Sequence, residues 1–339
     1  MESTQRNIDI NNFVVSSRVR LARNVNGFNF PCKLENNQAY VLMKTVSDVV
    51  GNGGNFAMHI MAHMSEIERA AYVERHLISP ALAQSDRIGG VIVSSDEKIS
   101  IMLNEEDHIR AQCIESGFNL PLAFGSINKI DDRINQSLDI AYDGVLGFLT
   151  CCPTNTGTGM RASVMAFLPM LTTYNEMNNV AAALSGKYIT VRGHYGEGSQ
   201  ASGYMYQISN QASLGVSEEE IVIAVSNTAV AVCNEELKIL EAHYARDKVK
   251  STDTAHRAKA LLTNAYVLSS FEFMDFFVGL KLGITLGLVN CRDLTRLNKL
   301  PEQVLPNNLL LSSGKNLNET ERDIYRAEFV KKTLNEILA

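Results

Sequence analysis

The segment CCPTNTGTGMRASV, residues 151–164, is the stretch around which the rest of the sequence is arranged. It combines two adjacent thiols, four hydroxyl side chains, two glycines and one arginine, and the apolar run MAFLPML follows it directly. Gly157 and Gly159 allow the backbone to approach a ligand closely. The Arg161 guanidinium suits a phosphate, and Cys152 occupies a position suited to an activated thiolate. We interpret the segment as part of a site, although an ordinary turn is the commoner explanation for such a loop taken alone.

Composition and charge restrict the class of protein. The 339 residues are 45% hydrophobic and 20% charged, which is typical of a soluble globular protein with room for two domains. A net charge of −6 gives no basic surface for nucleic acid. The polar opening and the lack of a long apolar run predict no leader and no membrane span, so we expect a cytoplasmic protein. Six cysteines without CxxC spacing indicate free thiols and no zinc site.

A first charged stretch, VVSSRVR, begins at Val14 and alternates weakly between apolar and polar residues. If it is a strand, Arg18 and Arg20 lie on one face, because side chains two apart point the same way. Two arginines on one face repel each other unless an anion lies between them. A solvated strand face is the simpler explanation for two arginines considered alone.

A second charged stretch follows a predicted hairpin, GVIVSS-DEK-ISIML, residues 90–103. The second strand runs into Asn104, Glu105, Glu106, Asp107 and His108. Three consecutive acids at a strand end are costly unless a cation or a proton compensates for their repulsion. An exposed acidic turn is an equally good explanation without further context, and a lone histidine here is more often structural than a base.

The remaining pattern alternates helices and strands before becoming wholly helical. We predict a helix over 131–142, a long apolar helix over 165–186, a strand over 188–193, a glycine-rich loop, a short strand over 204–209, and a long helix that begins at Ser217 before three glutamates. From residue 255 onward, the pattern predicts helices without strands. We therefore expect a domain over residues 1–245, a polar linker over 246–254 and a helical domain over 255–339.

Four motifs together resemble the signature set of the ATP:guanidino phosphotransferases, the family of creatine and arginine kinases. They are SSRVRLARN (16–24), NEEDHIR (104–110), CPTNTGTGMRASV (152–164) and RGHYGEGS (192–199), in the family's order. The resemblance covers about residues 14–220. It implies an α/β (α+β) fold in which helices flank a mostly antiparallel sheet, followed here by a small all-helical C-terminal domain.

The resemblance also implies roles for individual residues, with ATP and Mg²⁺ as cofactors. Glu106 and Glu197 would orient a guanidinium substrate and remove its proton, Cys152 would contact another nitrogen of it, and Glu105 would reach Mg²⁺ through water. The residues that would bind ATP are Arg18, Arg20, Arg110, Arg161 and Arg192, with Ser17 beside them. No Walker A lysine is required if arginines neutralise the phosphates.

The C-terminal region and the chain's beginning bear on the substrate. Small-molecule members of the family carry a helical lid domain before the SSRVR motif, which here begins at Ser16. We therefore expect arginine side chains of proteins, not free arginine, as substrate. RDIYRA, residues 322–327, resembles a phosphoarginine-binding motif and implies binding by Arg322, Asp323 and Arg326. Because RDLTR at 292–296 repeats the spacing, a solvated helix face with an ion pair remains the alternative.

The expected function is a protein kinase that phosphorylates arginine and thereby marks proteins for regulated degradation and stress control. The resemblance implies an activator protein, a stress-gene repressor, an AAA+ unfoldase with its protease, and a homodimer. A free-arginine kinase and an inactive phosphoarginine-binding adaptor are the alternatives. One departure from the pattern is Gln200, where the family usually has glutamate, and it bears on substrate preference.

Overall fold

The computed structural model describes residues 9–51, 55–184, 186–193 and 202–338. The strands are β1 Val14–Arg23, β2 Phe56–Ile60, β3 Gly90–Ser94, β4 Ile99–Leu103, β5 Ile109–Ser116, β6 Tyr142–Asp143, β7 Gly147–Phe148, β8 Met160–Phe167, β9 Ile189–Gly193 and β10 Met205–Asn210. The α-helices are α1 Asn36–Gly51, α2 Glu66–Glu74, α3 Pro80–Ala83, α4 Leu120–Ser137, α5 Pro169–Thr173, α6 Met177–Leu184, α7 Glu218–Arg246, α8 Lys248–Asn264, α9 Ser270–Thr285, α10 Leu294–Gln303, α11 Pro306–Ser313 and α12 Glu319–Ile337.

Eight strands form one sheet in the order β2-β3-β4-β5-β1-β8-β10-β9, and every neighbouring pair is antiparallel. The hairpin predicted over 90–103 is confirmed as β3 and β4, and β6 and β7 form a separate small hairpin. The expected fold class, a mostly antiparallel sheet flanked by helices with a helical C-terminal region, is confirmed. None of the helices in the described residues is long and apolar enough to cross a membrane.

The two faces of the sheet bury different groups. On β1, Val19 and Leu21 point to one face and pack with the apolar sides of α1, α4 and α7 in the main core. Arg18 and Arg20 alternate with them and therefore point to the other face. A reciprocal capping box between Ser217 and Glu220 fixes the start of α7, and buried residues such as Val225 and Ala229 pack it on this core.

The arginine-bearing face is covered at its two ends. At one end, α3 and the chain before it pack Leu77 and Leu82 on Val91 and Met102. At the other end, the helical domain α8–α12 packs on Phe167 and neighbouring residues of the sheet. The part of the face between these two covers carries Arg18, Arg20 and their neighbours.

The expected linker is almost wholly helical. Helix α7 ends at Arg246, and α8 begins at Lys248, with only Asp247 between them in a non-helical conformation. The segment 246–254 is polar because most of the α8 surface faces solvent. Farther along, α8 packs tightly on α9, where a Cβ at Gly283 would lie 2.4 Å from the Ala255 Cβ.

The long helix predicted over 165–186 is wrong. Its first residues continue β8 as far as Phe167, because they pair with β10 and bury a side of the sheet. Pro169 then starts the short helix α5, since proline lacks the N–H that a strand would need and suits the first turn of a helix. Asn175 has a φ of 59° and separates α5 from α6. The helix predicted over 131–142 is α4, which begins earlier than expected, at Leu120, and also ends earlier, at Ser137, so that Tyr142 lies in β6.

Candidate active site

The sheet register brings the arginines of β1, β5 and β8 to one face. Arg20 lies directly opposite Arg161, and directly opposed residues in neighbouring strands share a face. Arg110 lies opposite Ala22, which is two residues beyond Arg20. Arg18, two residues before Arg20, shares the same face.

The same rule places Arg192 on this face from the far side of the sheet. Arg192 on β9 lies opposite Gln207 on β10, and Gln207 lies opposite Met165 on β8. Met165 is four residues beyond Arg161, so the two point the same way. All five arginines predicted to contact ATP therefore share one face, which we call the arginine face.

The arginines destabilise one another's charge. Burial and the charges of Arg18, Arg110 and Arg161 lower the pKa of Arg20 well below its ordinary value. Burial and the charges of Arg192 and Arg110 lower the pKa of Arg161. Like charges brought together where water is scarce cost free energy until an anion joins them. The arrangement is therefore that of an anion-binding site.

Two of these side chains are held in place by neighbours. Arg161 Nη2 donates a hydrogen bond of 3.1 Å to the Ser209 hydroxyl, whereas its buried Nε has no partner among the described residues. Arg110 Nη1 donates to Glu105 Oε2 at 2.6 Å. Contacts of this kind fix the orientation of a guanidinium fork before a ligand arrives.

Glu105 is the buried anchor of the acidic turn between β4 and β5. Its Oε1 accepts from the Ser79 hydroxyl at 2.6 Å, and its Oε2 accepts from Arg110 and from the Glu106 N–H at 2.9 Å. Burial raises its pKa, but the Arg110 charge and the hydrogen bond from Ser79 outweigh that effect and leave the pKa below its ordinary value. Glu105 is thus ionised and positions Arg110.

Glu106 differs from Glu105 in exposure and in electrostatics. It lines a cavity of about 200 Å³, together with Cys32, Leu82 and Cys151 among others; we call this the Glu106 cavity. Burial raises the pKa of Glu106 above its ordinary value; the Arg110 charge opposes this effect, and the charges of the adjacent Asp107 and Glu105 add to it. A cationic ligand in the cavity would stabilise the carboxylate, so the cavity suits a guanidinium.

Asp107 joins the acidic turn to the cysteine-containing loop. It is fully buried, and its Oδ1 accepts from Asn24 Nδ2 and from the Cys151 N–H, each at 2.7 Å. Asn24 in turn accepts from the His108 N–H at 2.9 Å and donates to the Leu149 carbonyl at 3.0 Å. The two loops therefore keep a fixed separation.

His108 is a structural histidine. Its Nδ1 accepts from the Val25 N–H at 3.1 Å, and its Nε2 lies 2.8 Å from the Asn29 carbonyl, to which it donates. Both ring nitrogens are thereby used by the neutral ring. Burial lowers the pKa of His108, which favours that neutral form.

Cys152 is half-buried at the tip of its loop, and hydroxyl groups fasten it. The Cys152 sulfur lies 3.0 Å from Thr154 Oγ1, and the Thr150 hydroxyl donates to the Cys152 carbonyl at 2.7 Å. The Ser213 hydroxyl contacts the Thr154 and Thr156 carbonyls, each at 2.9 Å. The loop is therefore anchored on both sides of the thiol.

The loop glycines serve contacts within the protein, which differs from the close approach to a ligand that the sequence suggested. Gly157 has a φ of 116°, and a Cβ there would lie 2.1 Å from the Ser213 carbonyl oxygen. A Cβ at Gly159 would lie 2.6 Å from the Ala22 carbonyl oxygen. No other residue type fits these two positions without moving the backbone.

In the helical domain, the RDIYRA arginines are less exposed than an open clamp would be. Arg326 is completely buried; its Nε donates to the Val304 carbonyl at 3.1 Å, and its Nη1 donates to the Leu268 carbonyl at 2.8 Å and to Asp323. Arg326 Nη2 and Arg322 Nε are buried without a partner among the described residues. The motif thus combines a structural arginine with donors that remain available.

The repeat of this spacing at 292–296 has an ordinary role. The Asp293 carboxylate caps α10 by accepting from the Arg296 N–H at 2.9 Å. Arg296 itself pairs on the surface with Glu336 at 2.6 Å. The RDxxR spacing alone therefore does not specify a binding pocket.

Comparisons with known proteins agree with this geometry. The family described as ATP:guanido phosphotransferase, C-terminal catalytic domain, matches residues 39–239. The chain belongs to this family. It is thus a kinase, and ATP is the phosphoryl donor of ATP:guanido phosphotransferases. A second family, described as the protein-arginine kinase McsB C-terminal domain, matches residues 248–339.

Similar proteins span nearly the whole chain. The protein-arginine kinase of Caldanaerobacter subterraneus is 41% identical over 327 residues, which cover 95% of this chain and 97% of that protein. The protein-arginine kinase of Bacillus subtilis is 38% identical and covers 95% and 90%. The solved duplicated taurocyamine kinase of Schistosoma mansoni, with transition state analog components bound, is 28% identical with a TM-score of 0.61; the match covers 69% of this chain and 34% of that chain.

Not every residue that the family resemblance suggested joins the arginine face. Ser17 is buried on the opposite side of β1, where its hydroxyl donates to the Gly117 carbonyl at 2.8 Å and accepts from the Asn119 N–H at 3.0 Å. Glu197 and Gln200 lie outside the described residues. The proposed roles of the other positions rest on their placement above.

Sequence reasoning missed several residues that position this ATP:guanido phosphotransferase site. Asn24 and Asp107 lie inside two of the motifs quoted above, so the motifs carried a signal for them. Ser79 and Ser209 lie in none of the motifs, and only the folded chain brings them to Glu105 and Arg161.

Proposed function

We propose that this kinase transfers the γ-phosphoryl group of MgATP to arginine side chains of proteins. The observation that carries the proposal is the arginine face beside the Glu106 cavity, which together provide an anion site next to a site for a cation. Protein-arginine kinases that match 95% of the chain support the choice of substrate. So does the family match to the helical domain.

In the proposed reaction, the arginine face binds the phosphates, and the Glu106 cavity holds the guanidinium. A guanidinium has a pKa above about 12 and is no nucleophile until it is oriented and loses a proton. A nitrogen–phosphorus bond forms as the bond from the γ-phosphorus to its bridging oxygen breaks. The nitrogen proton passes to a carboxylate, ADP leaves, and the carboxylate releases the proton to solvent.

Each described residue then has a definite task. Glu106 fixes which nitrogen faces the phosphorus, and its raised pKa makes it a better proton acceptor than an ordinary carboxylate. Cys152 would contact another nitrogen of the same guanidinium. Glu197, outside the described residues, would supply the second carboxylate. Charge on the phosphoryl oxygens is neutralised by the five arginines without reorganisation, because they are already gathered.

Mg²⁺ is proposed to arrive with ATP. The described residues contain no group of three side chains suited to hold a metal ion. Both Glu105 oxygens already have protein donors, so a contact to the ion through water is what remains open to this residue. Mg²⁺ commonly keeps several waters and binds through substrate phosphates, and its charge would there offset that of the phosphates.

The helical domain is proposed to bind phosphoarginine through Arg322, Asp323 and Arg326. The supporting observation is the pair of buried guanidinium N–H groups without partners, Arg322 Nε and Arg326 Nη2. A phosphoryl oxygen could accept from both. Such a pocket would link arginine phosphorylation to regulation of the kinase.

Wider roles are part of the same proposal. We infer a cytoplasmic kinase that marks proteins for degradation and controls stress genes, with an activator, a repressor, an AAA+ unfoldase-protease and a second copy of itself as partners. Six cysteines that are all free thiols suit a reducing compartment.

The proposed phosphoarginine pocket is tested by titrating the native chain and an Arg322→Gln variant with phosphoarginine, monitored by calorimetry.

The experiment that tests the kinase function compares two acceptors. The enzyme is incubated with MgATP and either free arginine or an unfolded test protein, and the products are analysed by mass spectrometry at neutral pH in the cold, because the P–N bond is acid-labile. We expect phosphate on protein arginine only. Phosphorylation of free arginine would redirect the assignment to a small-molecule kinase, and no transfer to either acceptor would favour a binding-only role.

A substitution in the cavity sharpens this test. We expect Glu106→Gln to lower kcat by at least about two orders of magnitude, because a positioning carboxylate and proton acceptor is lost. Glu35→Gln, at an exposed position near the start of α1, is the matched control. Near-full activity of Glu106→Gln would contradict the role given to the cavity.

A further inference from the structure

Two thiols from distant parts of the chain meet in the Glu106 cavity. Cys32 lies in a short 3-10 turn, Pro31–Lys33, and Cys151 begins the loop that carries Cys152. Both line the cavity beside Glu106. Their thiols lie close enough for a direct side-chain interaction. Neither residue has a role in the proposed transfer.

The two thiols differ in access. Cys32 is exposed, so a small oxidant reaches it from solvent. Cys151 is half-buried, and burial, the neighbouring Cys32 and nearby acids raise its pKa. Cys151 is therefore mostly an uncharged thiol at neutral pH and is slow to react with an oxidant directly. Attack of Cys151 on an already oxidised Cys32 is intramolecular, so it needs a far smaller fraction of Cys151 thiolate than direct reaction with the oxidant does.

The other cysteines are less suited to a partner reaction. Cys113 and Cys233 are buried, and burial raises the pKa of each to about 12. Cys291 lies in the helical domain beside the buried Lys281 and does not line the Glu106 cavity. Cys32 and Cys151 are the two thiols that line the Glu106 cavity, and their side chains also interact with each other.

We propose that Cys32 and Cys151 form a reversible disulfide when the protein meets a peroxide, and that this bond closes the Glu106 cavity to the guanidinium. The first part depends only on the thiol pair, whereas the effect on transfer rests on the proposed function. The chemical class of the co-reactant is a hydroperoxide, with hydrogen peroxide as its simplest member.

The oxidation balances in two steps. The Cys32 sulfur attacks one peroxide oxygen, an S–O bond forms, the O–O bond breaks, and the released hydroxide takes the Cys32 proton to become water. The Cys151 sulfur then attacks the Cys32 sulfur, an S–S bond forms, and the S–O oxygen leaves with the Cys151 proton as a second water. Two thiols lose two electrons in total, and the peroxide gains them.

The structural effect falls on the acceptor side of the site. A disulfide draws two sulfurs to about 2.05 Å, well inside their non-bonded contact. The bond would tie the turn at Cys32 across the opening in front of Glu106. The arginine face is formed by other residues on the sheet, so nucleotide binding should persist after oxidation while transfer stops.

The test treats the full-length protein with hydrogen peroxide, removes the excess with catalase, and then measures three quantities. They are the peptide that links Cys32 to Cys151, found by mass spectrometry without reduction, the rate of phosphoryl transfer, and the affinity for ATP. Cys32→Ser is the test variant, and Cys291→Ser is the matched control. Each protein is compared with its own untreated rate.

For the native chain and Cys291→Ser, we expect the linked peptide, a transfer rate lowered at least tenfold, unchanged ATP affinity, and recovery with dithiothreitol. Cys32→Ser should form no linked peptide and should lose less of its transfer rate than the native chain, because only the oxidation of other thiols, such as Cys152, remains open to it. Absence of the linked peptide, or the same reversible loss in Cys32→Ser, would overturn the proposal. If the untreated protein transfers no phosphate, the linked peptide still decides whether the thiol pair forms a disulfide.

Discussion

The protein uses arginine in two contrasting ways. Arg23 and Arg326 are buried and surrounded by oxygen atoms: Arg23 contacts Asp131 at 2.7 Å and two carbonyls at 2.9 Å, and Arg326 contacts Asp323 and two carbonyls. On the arginine face, the charges of neighbouring arginines instead lower the pKa values of Arg20 and Arg161. The contrast teaches that the neighbours of an arginine, more than its burial, separate an arginine that the fold needs from one whose charge an anionic ligand would stabilise.

The two sets of arginines differ in how the protein compensates their buried charge. A buried guanidinium that donates to carbonyls and a carboxylate is already compensated, so its removal strands those acceptors. A guanidinium among like charges is repelled by them in the free protein, and its removal relieves that repulsion. Substitution of an arginine on the arginine face should therefore lower activity more than stability. Substitution of a compensated buried arginine should lower stability more than activity.

The largest effect is expected on the arginine face. Arg20→Met should lower kcat by about a thousandfold or more, because an arginine that stabilises a transferring phosphoryl group contributes on that scale. The thermal midpoint should stay level or rise, since the repulsion from Arg18, Arg110 and Arg161 is removed. Steady-state kinetics and thermal unfolding of the same preparation measure both quantities.

The control for this prediction is Arg257→Met. Arg257 is exposed and pairs with Asp253 along one helix at 2.7 Å, a contact of small value on a surface. It should leave both kcat and the midpoint near the native values. A destabilised Arg20→Met protein would place Arg20 with Arg23 and Arg326 instead of with its neighbours.

The opposite behaviour is expected for Arg326→Met. The Val304 and Leu268 carbonyls lose their donor and Asp323 loses its partner, so the free energy of unfolding should fall by about 3 kcal/mol. Without added phosphoarginine, the turnover number per folded molecule should remain, because Arg326 lies in the helical domain and not on the arginine face. Urea unfolding and an active-site titration separate the two quantities; loss of turnover with full stability would contradict the structural role.

Much of this contrast was accessible from local sequence rules. The spacing of Arg18 and Arg20 predicted one strand face, and Ser217 followed by glutamates predicted the start of α7. The family resemblance, carried by four short motifs, supplied the arginines of other strands. The shared strand face and the start of α7 were predictable because each depends on residues close together in the chain, whereas the ATP contacts of the arginines stay a prediction.

The rest depended on contacts between distant residues. The run after Arg161 has no periodicity that separates strand from helix, and only pairing with β10 makes it a strand. The spacing of Arg322 and Arg326 predicted a shared helix face but not that Arg326 is buried. Likewise, nothing near Glu105 in sequence indicates that Ser79 will bind it.

A smaller effect is expected where the two regions touch. Glu74, at the end of α2, accepts from the Asn307 N–H at 3.0 Å, from Asn307 Nδ2 at 2.7 Å and from the Asn308 N–H at 2.8 Å at the start of α11. Glu74→Gln removes the charge and one acceptor, and should cost about 2 kcal/mol at this contact. Hydrogen exchange of the peptide that spans α11 measures the loss locally.

Glu66→Gln is the matched control for the contact between α2 and α11. Glu66 is exposed in the first turn of the same helix and does not contact α11 in the described structure. Exchange in α11 should accelerate in Glu74→Gln and remain native in Glu66→Gln. Equal exchange in the two variants would show that the Glu74 contact does not hold the helical domain to α2.

The smallest expected effect, measured per pH unit, concerns Lys281, a third kind of cation that is buried without a carboxylate partner among the described residues. Its amine donates to Asn298 Oδ1, and burial lowers its pKa to about 7, which the nearby Cys291 opposes. The unfolded chain keeps this proton up to about pH 10.4. Between pH 7 and pH 10, the unfolded state therefore binds more protons, and the unfolding free energy should rise by about 1 kcal/mol per pH unit.

In Lys281→Met this rise should disappear. The Asn298 oxygen, which loses its donor, should lower the unfolding free energy equally at every pH. Urea unfolding at a series of pH values measures the slope, and an unchanged slope in the variant would show that Lys281 stays protonated in the folded domain.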